Sequence, residues 1–146
     1  MSVDLVPPIL KSGRQISMYL ERHLRDLALT AGEAILLSYL KDHTPCPIPL
    51  LHRDFGHKRS RLASMLDRLH VRRLILREVN PEDRRSLIVK LTRTGQTTAK
   101  RIQEMLEAFE SEINKRIDSH DSIGFQNVMR AIEQIVGTPD QDGAKE

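Results

Sequence analysis

The chain of 146 residues is poor in residue types and patterns that several protein classes require. It has a single cysteine, Cys46, which excludes an intramolecular disulfide and fits a reducing compartment. No apolar run approaches the ~18 residues of a membrane span, and residues 1–11 do not resemble a secretory signal. A chain of this length is too short for two full cores, so we expect one cytoplasmic domain.

Motifs for catalysis and metal binding are also missing. The six histidines form neither an HExxH motif nor a zinc spacing with cysteine, and the neighbours His52, Asp54 and His57 do not follow a known metal motif. There is no Ser/His/Asp arrangement, phosphate-binding loop or dinucleotide fingerprint. We therefore expect a protein that is not an enzyme and binds neither a metal nor a cofactor.

What the chain does have is an uneven distribution of charge. The net charge is +3, but residues 57–101 carry 13 basic and 4 acidic side chains, a net charge of +9. Residues 1–56 are neutral overall, and residues 102–146 have a net charge of −6. A basic block between neutral and acidic segments favours a polyanionic partner, nucleic acid first, although a solvated charged face is the alternative.

Apolar periodicity predicts helices in the first third of the chain. Apolar residues at steps of three and four predict a helix over 9–29. The sequence from Thr30 to Glu33 fits a capping box, in which the threonine hydroxyl accepts a backbone N–H and the glutamate reaches back. This capping box opens a second helix, which the proline-containing stretch 43–47 ends.

The middle of the chain fits a winged helix-turn-helix. A short helix over 48–55 ends at Gly56, and a second helix runs from about Lys58 or Ser60 to Arg72. Segments 74–79 and 87–91 then read as a hairpin around a charged tip. Two more helices follow, one ending at 120–122 and the other over 125–136. The fold class is thus mainly α (α+β), with a winged helix-turn-helix and flanking helices.

The stretch from Leu69 to Gly95 resembles the MarR family of bacterial transcription regulators. It contains an Asp-x-Arg pair, Asp83 and Arg85, at the predicted hairpin tip, and then Leu-Thr-x-x-Gly, beginning at Leu91. The resemblance covers about residues 9–136. Three positions differ from the family's usual residues. Arg73 stands in place of glycine, His52 in place of alanine, and Ser64 in place of arginine.

The resemblance implies a single domain over residues 1–146. Its DNA-binding part is expected at about 31–100, its dimerisation helices at about 9–29 and 101–137, and a flexible tail at 138–146. A homodimer would bury the apolar stripes at both ends of the chain, and an intramolecular bundle is the alternative. The expected dimerisation residues are Ile9, Ile16, Leu20, Ile113, Ile117, Phe125, Val128 and Ile132.

The predicted recognition helix should enter a major groove with its N-terminal half. Arg59, Ser60, Arg61 and Ser64 are the candidates for base edges, whereas Lys58, Arg68 and His57 are expected at phosphates. For Arg68 and Arg72, solvent exposure or a pair with Asp67 is the alternative.

The resemblance also implies roles for the wing. Arg85 would enter a minor groove, Arg84 would contact the backbone, and Asp83 would hold Arg85 or a neighbouring basic side chain through its guanidinium. An ordinary charged hairpin tip is the alternative.

Members of the family often bind small aromatic or anionic effectors. Tyr19, His23 and Arg14 are possible contacts, but they suit packing equally well, so the effector site stays unknown. Cys46 lies in a proline-flanked loop rather than the first helix, which favours a packed cysteine over a redox sensor.

These observations predict a sequence-specific DNA-binding transcriptional regulator. It would be a dimeric repressor on a pseudo-palindromic operator, relieved by a small-molecule effector. The alternative is a protein–protein interaction module that uses a winged helix without effector control.

Overall fold

The computed structural model describes residues 2–137, so the predicted tail at 138–146 lies outside the described residues. Six α-helices and three strands occur in the order α1, α2, β1, α3, α4, β2, β3, α5, α6. Their bounds are α1 Val6–His23, α2 Ala31–His43, β1 Cys46–Pro47, α3 Ile48–Phe55, α4 Arg59–Val71, β2 Ile75–Val79, β3 Leu87–Leu91, α5 Arg93–Asn114 and α6 Ser119–Val136.

The first helix is shifted towards the N-terminus relative to the prediction. It begins at Val6 because Pro7 and Pro8 occupy its first turn, where the missing N–H groups cost nothing. It ends at His23 rather than Leu29, and a single 3₁₀ turn, Arg25–Leu27, leads to Ala28 in the left-handed conformation (φ 50°).

The predicted start of α2 is half confirmed. The Thr30 hydroxyl accepts the backbone N–H of Glu33 at 3.2 Å, as the cap requires. The expected return bond from the Glu33 carboxylate is wrong. That carboxylate accepts a hydrogen bond from Arg68 Nε at 3.0 Å. A hydrogen bond from a charged guanidinium is stronger than one from a backbone N–H, so the pair with Arg68 is preferred.

The helix-turn-helix is confirmed in both helices and in the turn. Pro49 lies in the first turn of α3, and Gly56 ends this helix with a left-handed φ of 64°. The buried residues of α4 are the four that its periodicity predicts, Leu62, Met65, Leu66 and Leu69.

The hairpin is confirmed, and the structure adds a third strand that we did not predict. β2 and β3 pair antiparallel, with Ile75 opposite Leu91. The two-residue strand β1 pairs with the other edge of β3, where Cys46 lies opposite Val89, so the sheet order is β1-β3-β2. Cys46 is therefore buried in a strand rather than placed in a loop.

The boundary between the last two helices is wrong in the prediction. α5 ends at Asn114, so Ile117 lies between helices, and residues 120–122 belong to the first turn of α6. A capping box formed by Asp118 and Asp121 fixes the start of α6. The apolar stripe continues past the end of α5, which is why periodicity alone places the break too late.

The core lies where α2, α4 and α5 meet the sheet. Its fully buried side chains are mostly leucine, and α5 packs along α2 through Ala99 and Ile102. The mainly helical architecture with a small antiparallel sheet confirms the predicted fold class.

Replacing two glycines by alanine should change the free energy of unfolding in opposite directions. A Cβ at Gly95 would lie 1.9 Å from the carbonyl oxygen of Leu74, because α5 begins directly against the sheet. We expect Gly95→Ala to lower the free energy of unfolding by at least ~1–3 kcal/mol, measured by denaturant titration. Gly13, in the exposed part of α1, has nothing within 4 Å, so Gly13→Ala should raise it by about 0.5–1 kcal/mol. Equal effects of the two substitutions would contradict this packing.

Candidate nucleic-acid interface

The exposed face of α4 carries small side chains along its centre. Ser60 and Ser64 lie one turn apart on this face with Ala63 between them, and all three are exposed. The Ser64 hydroxyl donates to the carbonyl of Ser60 at 2.9 Å, so its oxygen still has acceptor capacity. A helix with small outward residues can approach another surface closely.

Arginines flank this face on opposite sides. Arg59 lies beside the wing, in a cleft of about 290 Å³ that it shares with His52 and Arg85. Arg61 faces α1 and lines a cleft with Ser17 and Glu21. These arginines are two positions apart in the sequence, which is more than half a helical turn, so they cannot both point straight outward.

The arginine-rich cleft includes a residue that sequence reasoning did not assign to the site. His52, on α3, has a buried Nδ1 with no hydrogen-bond partner among the described residues. It lines the same cleft as Arg59 and Arg85.

The tip of the hairpin is held by hydrogen bonds from its backbone N–H groups to its own side chains. Asp83 Oδ1 accepts the backbone N–H of Arg85 at 3.1 Å, and Asn80 Oδ1 accepts that of Glu82 at 3.0 Å. The expected bond from Asp83 to a guanidinium stays a prediction, because the bond seen in the structure runs to the backbone N–H of Arg85. The side chains of Arg84 and Arg85 are exposed, which leaves their guanidinium groups accessible to other partners.

The C-terminal half of α4 is tied to the protein itself. Arg68 pairs with Glu33, and Arg72 donates to the carbonyl oxygens of Ala28 (2.9 Å) and Leu27. Asp67 pairs with Arg77 of β2 at 2.6 Å, so the alternative pairing with Arg68 or Arg72 is wrong.

The helices α2 and α3 are joined by a polar cluster. The Tyr39 hydroxyl donates to Asp54, whose other oxygen accepts Arg53 Nε at 2.9 Å. The hydrogen bond to Asp54 raises the pKa of Tyr39 to about 12. The pKa of Asp54 is lowered, first by the hydrogen bond from Tyr39 and then by that from Arg53. This cluster holds α3 on α2 and so supports the helix-turn-helix.

His57 sits at the start of the recognition helix, half buried. Burial first, and the charge of Arg61 second, lower its pKa. This shift favours the neutral form of the ring at neutral pH.

No family model matches this sequence, and no curated protein matches it. Solved structures do match. The transcription regulator MarR from Oenococcus oeni PSU-1 superposes with a TM-score of 0.80 at 18% identity, covering 90% of this chain and 99% of that one. The S. aureus MepR–DNA complex gives 0.80 at 14% identity, covering 91% and 99%. Reduced MarR from E. coli gives 0.71 at 21% identity, covering 90% and 98%. The chain has the MarR fold. The Oenococcus oeni protein is a transcription regulator.

Within the MarR fold, two of the three possible effector contacts, Tyr19 and His23, take part in packing, whereas Arg14 is exposed. Tyr19 lies against His23 and Phe109, with ring centroids 3.9 and 4.7 Å apart, which joins α1 to α5. Cys46 is buried, and burial raises the pKa of its thiol, which disfavours the reactive thiolate.

Residues 2–137 hold neither a cluster of metal-ligating side chains nor a helix able to span a membrane. Nowhere in this range do three or more histidine, cysteine or acidic side chains gather as they would around a metal ion. None of its helices combines the length and apolarity needed to cross a membrane.

The Tyr39–Asp54 bond predicts a pH-dependent contribution to stability. Tyr39→Phe removes the donor and should lower the free energy of unfolding by about 1 kcal/mol at pH 7. The pKa of Asp54 is depressed in the folded state, so its contribution is present above the unfolded value near ~3.9 and is lost as the pH falls through the folded value. The difference between wild type and variant should therefore shrink towards pH 3.

Denaturant titrations between pH 7 and pH 3 measure this difference. Tyr19→Phe is the matched control, because its ring packs on aromatic neighbours, and its effect should not vary with pH. A pH-independent effect of Tyr39→Phe would show that Asp54 is not the partner that matters.

Proposed function

We propose that the chain is a sequence-specific DNA-binding transcriptional regulator that acts in the cytoplasm as a homodimer. The observation that carries this proposal is the surface formed by α4 and the hairpin, where a stripe of small residues is bordered by Arg59, Arg61 and Arg85. The +9 charge of residues 57–101 supports a polyanionic partner. A protein of the same fold, MepR, is known as a DNA complex.

The roles of the side chains follow from their positions. Ser60 and Ser64 face the floor of a major groove, and Arg59 and Arg61 reach base edges from either side, with guanine O6 and N7 as the preferred acceptors. Lys58, exposed at the N-terminus of α4, contacts phosphate.

The wing would contact the neighbouring minor groove. Arg85 enters that groove from the hairpin tip, and Arg84 contacts the backbone beside it. The bond from Asp83 to the backbone of Arg85 supports this role, because it fixes the base of the arginine without neutralising it.

Unpartnered apolar surface on α1 and α6 supports the homodimer. All of α6 is described, and none of its residues is buried, although several of them are apolar. Phe125 is 62% exposed and Ile132 is 36% exposed. Ile9, Ile16, Ile113, Ile117 and Val128 are likewise exposed or half buried and would join this interface. Leu20 is 1% exposed in the single chain, so we assign it to the chain's own core.

The dimer would favour one type of operator and one type of control. Two-fold symmetry places two recognition helices about one DNA turn apart, roughly 34–36 Å, on a pseudo-palindrome. We further propose a repressor that is relieved by a small aromatic or anionic effector. Such a ligand would bind more tightly to a conformer in which the two helices are badly spaced.

Selection from a random duplex library tests the DNA-binding proposal. We expect an enriched sequence that the protein binds more tightly than a shuffled duplex at physiological salt. Arg85→Ala should weaken binding to it by at least ~1 kcal/mol, and Arg61→Ala should relax base preference. Binding no tighter than to shuffled DNA would contradict the proposal and favour an interaction module that binds protein.

Sedimentation equilibrium tests the homodimer. Phe125→Glu and Ile132→Glu place charges on the apolar face of α6, so we expect both variants to sediment as monomers and to lose affinity for the selected duplex. Leu76→Glu on β2 is the matched control, because Leu76 is a 46%-exposed apolar residue outside the proposed interface. A wild-type protein that is monomeric at micromolar concentration would refute the interface.

A further inference from the structure

Glu33 is the one charged side chain that is buried among residues 2–137. It lies in the first turn of α2 and is 3% exposed. A carboxylate in such a place must be paired, because its desolvation is otherwise too costly. The proposed contacts with DNA give this residue no role.

The partner of Glu33 belongs to the recognition helix. Arg68 Nε lies 3.0 Å from Glu33 Oε1, and the arginine side chain remains 54% exposed. One turn further along α4, Arg72 donates to the carbonyl oxygens of Leu27 and Ala28. Arg68 therefore holds the first turn of α2, and Arg72 holds the segment that connects α1 with α2.

This connecting segment is held from the opposite side as well. Arg101 of α5 forms two bonds with Asp26, the longer at 2.9 Å. The segment also follows directly on α1, which carries part of the proposed dimer surface. The position of α4 relative to the two-fold axis therefore depends on these arginine contacts.

We propose that Glu33 is a positioning residue for DNA binding, which acts by orienting the recognition helix through Arg68. This inference rests on the proposed function. It removes Arg68 from the phosphate contacts that the sequence suggests, because its guanidinium is engaged by a buried carboxylate that DNA cannot replace. Glu33 and Arg68 set the angle at which Ser60, Ser64 and Arg61 meet the groove.

The two roles of Arg68 predict opposite effects of neutralising Glu33. If Arg68 contacted a phosphate, Glu33→Gln would free its guanidinium and remove a negative charge, so the duplex would bind equally well or more tightly. If Glu33 positions α4, the same change should weaken binding to the selected duplex roughly tenfold, a normal size for coupling between sites. The Kd of each protein is measured by fluorescence anisotropy.

A double variant separates positioning from general loss of stability. Replacing a buried ion pair with apolar residues of similar size is often neutral or stabilising. Glu33→Leu combined with Arg68→Met should therefore keep the Tm of the wild type or raise it, and should still bind the duplex about tenfold more weakly. An effect on DNA binding without a loss of Tm is not expected from a merely structural pair.

The salt dependence of binding gives a second readout. The plot of log K against log salt concentration has a negative slope, and loss of one phosphate contact makes that slope about 0.9 less steep. Arg68→Gln should leave the slope unchanged. Lys58→Gln, at the N-terminus of the same helix, is the matched control and should make the slope less steep. A less steep slope for Arg68→Gln, or a Kd for Glu33→Gln at or below that of the wild type, would overturn the inference.

These outcomes differ from failure of the proposed function. If the wild-type chain selects no duplex, the proposed function fails and this inference fails with it. If the wild type binds its duplex and the Glu33 variants bind equally well, only the positioning role is refuted.

Discussion

A carboxylate inside an apolar interior needs a cation beside it, and in this chain that need links α2 to α4. Glu33 of α2 is buried, and its cation is Arg68 of α4. The pairing divides α4 into two halves. The C-terminal half is bound to the rest of the chain by Arg68, Arg72 and Asp67, whereas the N-terminal half presents small polar residues to the outside.

This division explains how the charge of the chain is used. Part of the +9 charge of residues 57–101 is balanced by acidic residues outside this range, in the pairs of Arg68 with Glu33 and of Arg101 with Asp26. The hairpin tip adds Arg84 and Arg85 to the exposed surface, and Asp83 binds the main chain of Arg85. The acidic residues of α5 and α6 lie outside this surface, in the part of the chain that we assign to dimerisation.

The sequence allowed much of the fold to be predicted because its signals are local. Leucine spacing located the buried face of α4, and Thr30 and Gly56 marked helix ends through their own conformations. The strand Cys46–Pro47 escaped prediction because two residues show no period, and the end of α5 was misplaced because apolar spacing continues through Ile117. The basic surface was predictable as a stretch of charge, but its geometry was not. The partner of Glu33 lies 35 residues away, and a capping box competed for the same carboxylate.

We propose that two copies of α4, each held by its own core, bind DNA about one turn apart. Chemical footprinting of guanine N7 and of the sugar backbone on the selected duplex measures this directly. The account predicts two protected major-groove patches related by a two-fold axis, with centres roughly 34–36 Å apart, and protected minor groove beside each. A single patch, or uniform protection along the duplex, would contradict it.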